Sequence, residues 1–372
     1  MLLSEILFFT GFIVFIIAIL AVDMLVIDKQ AHVVSIREAG TWTAVWIILA
    51  LLFGVFLWFH GDMIHGIQSY ADLQEVTRRY ASHINLEGVG LEEGLDLYRH
   101  NMAMDYITGY LIEKMLSVDN LFVMMMIFTA FQVSNKEYQH VLNWGILGAI
   151  VMRCVFIFIG SAIISRFDWV LIVFGLFLVY SAVKMFATRN KEEHIDVERQ
   201  PVVRFLSRYF RVYPRFEGDR FMVYARKEGD NYVLADRRHG GLLHFTPLLV
   251  TVVVIEFSDL IFAFDSIPAV FSVSLDPYVV FFSNIFAILG LRAMFFLLSA
   301  IADRFRYLKT GVCLLLLFIG IKLLLGHLVT ISNLWSLAFI LAVLTVSIVL
   351  SIVIPQKETN SQEQTAGKET ER

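Results

Sequence analysis

Long apolar stretches separated by short polar junctions set the pattern of this chain. A helix needs about 20 apolar residues to cross a hydrocarbon core roughly 30 Å thick. Nine stretches approach that length: Glu5–Ile27, Thr41–His60, Met104–Phe131, Val141–Ile164, Trp169–Ala187, Thr246–Val273, Pro277–Ala300, Thr310–Leu328 and Leu334–Ile354. They predict an all-α membrane protein with about nine transmembrane helices. The first stretch has no basic start and no small-residue cleavage site, so it reads as a retained helix. The plan is two N-terminal helices in 1–61, an extracytoplasmic loop over 62–103, three helices over 104–188, a cytoplasmic linker over 189–240, three helices over 246–329 and a last helix within 330–354. Residues 355–372 are polar and without aromatics, which predicts disorder.

Composition agrees with that class. The 372 residues are 58% hydrophobic and 17% charged, against about a quarter charged in soluble domains. The distribution of charge says more than its sum. Residues 189–240 hold 12 Lys/Arg against 9 Asp/Glu, whereas 62–103 hold 3 against 7. The positive-inside bias puts the first segment in the cytoplasm and the second outside, so counting spans gives an outside N-terminus and a cytoplasmic C-terminus in a cell inner membrane. The basic residues near Lys29 and Arg304 fall on the same inner side. The two cysteines, Cys154 and Cys313, both lie in apolar stretches, which excludes a disulfide framework.

The two polar segments carry local signals. Arg204, Arg208, Arg211 and Arg215 recur at steps of four, three and four, with Val203, Phe205, Leu206, Tyr209 and Phe210 on the other side. That spacing predicts an amphipathic helix in the headgroup region. Alternating residues on either side of Glu228-Gly229-Asp230-Asn231 predict a hairpin. Segment 62–103 offers His60 at its edge, then His65, His83 and His100 among several acids. No two of these have the spacing of a closed zinc site, and a solvated loop is the expectation.

An internal repeat is the most informative feature. Glu113 and Asp119, in IEKMLSVDNLFV, answer Asp259 and Asp265, in FSDLIFAFDSIPAV. ILGAIVMR (Ile146–Arg153) answers ILGLRAM (Ile288–Met294), and SRFDW with Lys184 answers DRFRY with Lys322, both 138 positions apart. Each repeat contains three spans, an odd number, and the charge bias starts them on opposite sides. Two inverted three-helix repeats follow, the architecture that exposes one central site to either side in turn.

Glu113, Asp119, Glu256, Asp259 and Asp265 all lie within apolar stretches. A central charged residue costs about 2.5–3.5 kcal/mol on insertion scales, so five cost on the order of 12–18 kcal/mol unless paired, protonated or bound to a cation. Arg153, Arg292 and Lys114 are the candidate supporting charges. Six residues along a helix turn roughly 240° and rise about 9 Å, so neither pair shares an ideal face. A break between the acids, for which Pro268 is the signal in the second repeat, would aim both inward. Asn120 and Ser266 follow the two repeated aspartates. Carboxylate, amide and hydroxyl oxygens suit hard or borderline divalent cations. The metal-binding candidates are therefore Glu113, Asp119, Asn120, Glu256, Asp259, Asp265 and Ser266. Methionines 115 and 124–126 read as packing.

On the stretches GYLIEKMLSVDNLFV, ILGAIVMR, SRFDW with Lys184, VIEFSDLIFAFDSIPAVF and SNIFAILGLRAMFFLL, the chain resembles the TerC family, in its Alx-like branch, from Gly11 to about Val329. The resemblance implies the LysE-like transporter superfamily and manganese export, with Mn²⁺ as transported ion and no cofactor. It also carries the association with tellurium resistance. The alternative expectation is a membrane scaffold linked to tellurium or metal stress, or to metalation of secreted proteins. An enzyme is not expected: Asp265 follows Phe262-Ala263-Phe264 where intramembrane aspartyl proteases have GxGD, and no HExxH occurs. The expected partners are the divalent cation, the lipid bilayer, and a second copy of the chain or the secretion machinery, with no nucleic acid.

The charge bias makes the first testable prediction. Ser82→Cys reacts with an impermeant thiol reagent in intact cells and Ser207→Cys does not. Labelling of Ser207→Cys alone overturns the orientation.

Overall fold

The computed structural model describes residues 2–22, 34–167, 169–188, 200–228, 231–235, 241–301, 307–326 and 333–353. The end of the first expected span, Asp28-Lys29, parts of the linker, most of DRFRY and the tail 355–372 lie outside the described residues. The helices are α1 (Leu2–Val22), α2 (Ile36–His60), α3 (Asp62–His65), α4 (Tyr70–Tyr80), α5 (Leu91–Ala130), α6 (Tyr138–Ile164), α7 (Trp169–Thr188), α8 (Pro201–Tyr209), α9 (Pro247–Phe271), α10 (Pro277–Leu289), α11 (Leu291–Ile301), α12 (Leu308–Leu325) and α13 (Asn333–Val353). Strands β1 (Met222–Glu228), β2 (Asn231–Leu234) and β3 (Leu242–Phe245) form one small antiparallel sheet, ordered β2-β1-β3. The protein is an all-α membrane protein. Among the described residues seven helices are long and apolar enough to cross a bilayer, or eight if α10 and α11 make one bent span. The third expected span lies in α5, which carries Asp105, Glu113, Lys114 and Asp119.

Helix starts follow local chemistry. Ser35 caps α2 by accepting from Glu38 N, and Ser69 and Asp72 form a reciprocal capping box on α4. Thr246 and Asp276 cap α9 and α10, each followed by a proline at the first helical position, where a missing N–H costs nothing.

Four expectations need correction. Segment 62–103 is not a solvated loop: it contains α3, α4 and the first turns of α5, because Ile64, Leu73, Val76 and Leu95 bury apolar surface there. The span Pro277–Ala300 is two helices bent by 45° at Gly290, where a Cβ would meet Lys114 Nζ at 2.8 Å and Trp46 at 3.2 Å. Neither α5 nor α9 breaks between its two acids. Pro268 removes one bond near the end of α9, and the helix continues to Phe271. The basic stripe shrinks to Arg204 and Arg208, because the chain leaves α8 to join the sheet, with Val212 bridging to Phe245. The expected hairpin is present, with Glu228 opposite Asn231. Strand β3 on the other edge of β1 was not anticipated.

The packing centres on α10, where every residue except Tyr278 is buried. A helix apolar on all sides belongs in the middle of a bundle. Around it, α5 packs on α9, α6 on α10 and α7 on α12. Each helix group of the first expected repeat thus meets its counterpart in the second. Rings of Phe12, Phe53, Phe281, Phe282 and Phe286 interlock α1, α2 and α10. Between α7 and α12 the backbones themselves approach: a Cβ on Gly320 would lie 3.0 Å from Gly175 O and 2.8 Å from Val179. Small residues allow this close packing inside a membrane. Gly320→Leu should therefore destabilise the protein by about 1–3 kcal/mol, read as a lower Tm in detergent. An unchanged Tm contradicts the contact.

Candidate functional site

Arg153, on α6, is completely buried in the apolar bundle. A guanidinium offers five donors in a planar fork, and here three helices supply the acceptors. Its Nη1 donates to Glu113 Oε1 on α5 and, at 2.8 Å, to Asn284 Oδ1 on α10. Its Nε and Nη2 straddle Asp259 on α9, at 3.4 Å to Oδ2 and 3.2 Å to Oδ1. Ser266, also on α9, lies 3.4 Å from Nη1, and Asn120 Nδ2 on α5 donates to Asp259 Oδ1 at 3.5 Å. Asn284 is itself fixed by donating to Val280 O one turn back.

Two oxygens of this cluster have no donor. Glu113 Oε2 and Ser117 Oγ, one turn apart on α5, are buried without a hydrogen bond among the described residues. An unsatisfied buried polar atom costs about 1–3 kcal/mol, more when charged. Two carboxylates and one guanidinium carry a formal charge of −1 when all are ionised. Excess negative charge therefore coincides with unpaired oxygen lone pairs, an arrangement suited to a cation.

The seven expected metal candidates do not converge. Glu113, Asp259 and Ser266 bind Arg153, and Asn120 binds Asp259 beside it. Asp265 is half-buried and accepts from Ser181 Oγ of α7 at 2.7 Å. Glu256 is half-buried and lies against α6 at Gly148, where a Cβ would fall 2.0 Å from its Oε1; the missing side chain makes room for the carboxylate. Asp119 is half-buried on α5, some 240° around the helix from Glu113. With both helices unbroken, six-residue spacing sends the two acids of each pair to different sides of their helix. No three Asp, Glu, His or Cys side chains form a metal-holding group among the described residues.

Of the supporting charges, Arg153 sits at the centre. Arg292 donates to Asn143 Oδ1 at 2.8 Å, and Lys114 to Ala287 O at 3.3 Å, where a cation complements the C-terminal end of α10. Ser117 and Asn284 were missed. Ser117 lies inside the repeated motif IEKMLSVDNLFV and Asn284 four residues before ILGLRAM, and a search for uncharged polar residues within apolar spans would have found them.

The central pair is open to test. Removing one partner of a buried ion pair costs about 3–5 kcal/mol, because a charge is left uncompensated. Arg153→Met should lower stability by that amount, and adding Glu113→Gln with Asp259→Asn should recover at least half of it. Equal stability of the single and triple variants contradicts the network.

Residues 98–359 match the family described as integral membrane protein TerC family. Alx of Salmonella typhi, whose name describes a membrane-bound redox modulator, is 38% identical over 342 residues, 92% of each chain. Alx of Escherichia coli K12 is similar to the same extent. A membrane protein of Myxococcus xanthus, described as uncharacterized, is 39% identical over 343 residues, 92% of this chain and 91% of its own. No solved structure matches.

Proposed function

Since the chain belongs to the TerC family of integral membrane proteins, we propose that it is a divalent cation transporter that exports manganese across the cell inner membrane. The observation that carries this reading is the pair of unsatisfied buried oxygens, Glu113 Oε2 and Ser117 Oγ, beside a cluster of net charge −1. The donors are oxygens only, which favours hard and borderline ions over soft ones. Manganese itself comes from the family.

In this reading Arg153 is a tethered cation that balances one of the two negative charges of Glu113 and Asp259 when no metal is bound. An arriving ion meets Glu113 Oε2 and Ser117 first and competes with the guanidinium for the remaining oxygens. Glu256 and Asp265 flank Asp259 along α9, the outer two nine positions or about 13.5 Å apart. With Asp119 they make acidic stepping points on the approach. Metal needs ionised oxygens, so protons compete for them, and outward metal is exchanged for inward protons. The orientation is that of the charge bias, with the N-terminus outside and the C-terminus in the cytoplasm.

The relatives' name suggests redox work instead. The chain has only two cysteines, on α6 and α12, and no CxxC pair, so a dithiol mechanism lacks its residues. A scaffold that assists metalation of secreted proteins would act without moving metal.

Purified protein in proteoliposomes separates these readings. Mn²⁺ flux is expected, faster with a pH gradient of the exchanging sense. It should fall at least tenfold in Glu113→Gln and Asp259→Asn, and markedly in Asp119→Asn and Asp265→Asn, in variants that still melt cooperatively. Absence of flux in the wild type, or full flux in all four variants, overturns the proposal.

A further inference from the structure

His65, the last residue of α3, is completely buried and hydrogen-bonded at both ring nitrogens. Nδ1 lies 2.8 Å from Glu5 Oε1 on α1, and Nε2 lies 2.8 Å from Asp276 Oδ2 at the cap of α10. The two partners are 60 and 211 positions away in sequence. Glu5 keeps 17% of its side chain exposed, and Asp276 only 4%. The carboxylates stand on opposite ring nitrogens, so they do not converge on one metal ion.

The chemistry of this arrangement is restrictive. A neutral imidazole has one N–H and one acceptor nitrogen, and an ionised carboxylate only accepts. Two ionised carboxylates are satisfied together only by an imidazolium with both nitrogens donating. The other groups around the cluster are Arg79 and Tyr80 on α4, Tyr278 on α10, Tyr98 on α5 and the Asp62–Arg99 pair between α3 and α5. Tyr80 stacks on the His65 ring, Tyr278 meets it edge-on and donates to Glu5 Oε2 at 3.5 Å, and Arg79 lies over the Tyr80 ring. Tyr98 senses Asp276, and Arg99 is bound to Asp62 at 2.6 Å. Burial opposes the charged imidazole, but the Asp276 and Glu5 carboxylates outweigh it and push its pKa up to about 9.

The backbone is shaped around this contact. Gly66 takes a left-handed φ of 59°, and Ser4 of α1 occupies the space its Cβ would need, 2.1 Å from Oγ. Asp276 also accepts from Tyr278 N through Oδ1, so one carboxylate both starts α10 and grips His65. Eight residues on, about 12 Å along the axis, Asn284 of the same helix accepts from Arg153.

We propose that Glu5, His65 and Asp276 form a proton-binding latch that ties α1 and α3 to the start of α10, and that releases when the imidazolium loses its proton. Deprotonation leaves two carboxylates facing a ring that can satisfy only one of them. The histidine's folded pKa is raised above the unfolded value near 6.5. Its contribution is therefore complete below about pH 6.5 and is lost as pH rises through about 9. The latch stands on the fold alone and does not depend on which ion crosses the membrane.

The test uses purified full-length protein in detergent without added metal. The wild-type Tm should fall by several degrees from pH 7 upward and level off once the pH passes about 9. His65→Gln should start lower at pH 7 and change little over that range. Asp276→Asn keeps the helix cap but removes one carboxylate, so its midpoint should drop by a unit or more. In a background with Cys154→Ala and Cys313→Ala, thiol labelling of Ser274→Cys relative to the exposed Ser82→Cys reports opening. That ratio should rise severalfold from pH 7 to 9.5 and should already be high at pH 7 when His65→Gln is added. If His65→Gln does not fold, the shifted midpoint of Asp276→Asn decides. A wild-type Tm and labelling ratio that ignore pH between 7 and 10, or a pH profile identical in the wild type and Asp276→Asn, overturns the proposal.

Discussion

A fully buried guanidinium governs the centre of this protein. In a hydrocarbon-bounded bundle Arg153 cannot turn to water, and desolvating it costs several kcal/mol unless acceptors surround it. Those acceptors come from separate helices: Glu113 from α5, Asp259 and Ser266 from α9, and Asn284 from α10. Slipping any of these helices by one residue would rotate its acceptor by about 100° and leave a charge exposed to lipid-like surroundings. Apolar packing in a membrane discriminates poorly between registers, since lipid tails are as apolar as the helices. The polar cluster supplies that discrimination and ties the two acidic motifs together.

The helix that carries Asn284 connects this centre to the contact with His65. Nearly all of α10 is buried, so its surroundings are protein on every side. Asp276 begins it and holds His65, Asn284 meets Arg153 in the middle, and Lys114 donates to Ala287 O near its end. The 45° bend at Gly290 then turns the chain into α11. The helix is thus held by an ion pair at its start and by charge-assisted hydrogen bonds in its middle and near its end.

This arrangement also changes how the acids are understood. Read along the chain, five intramembrane carboxylates look like one metal shell. In space two of them share an arginine, Asp265 leans on Ser181, Glu256 fills the gap beside Gly148, and Asp119 turns away from Glu113. Arg153 offsets part of the electrostatic cost for Glu113 and Asp259 alone.

The sequence by itself determined the class, most span positions and the identity of the acids. These follow from strong local constraints: hydrocarbon thickness fixes span length, and a charge in an apolar stretch is visible without knowing its neighbours. The span starts drawn at Thr246 and Pro277 fall at the caps of α9 and α10, because a cap acts within one turn. What only the tertiary structure decided are the pairings between distant residues. Arg153 was a candidate support, but its placement between Glu113 and Asp259 depends on how α5, α6 and α9 cross. Glu5 looked like the polar edge of a span and His65 like a residue of a solvated loop, since nothing in either neighbourhood reveals a partner 60 positions away. The unsatisfied oxygens of Glu113 and Ser117 were hidden for the same reason. An unmet hydrogen bond belongs to the whole packed bundle, and no local pattern of residues encodes it.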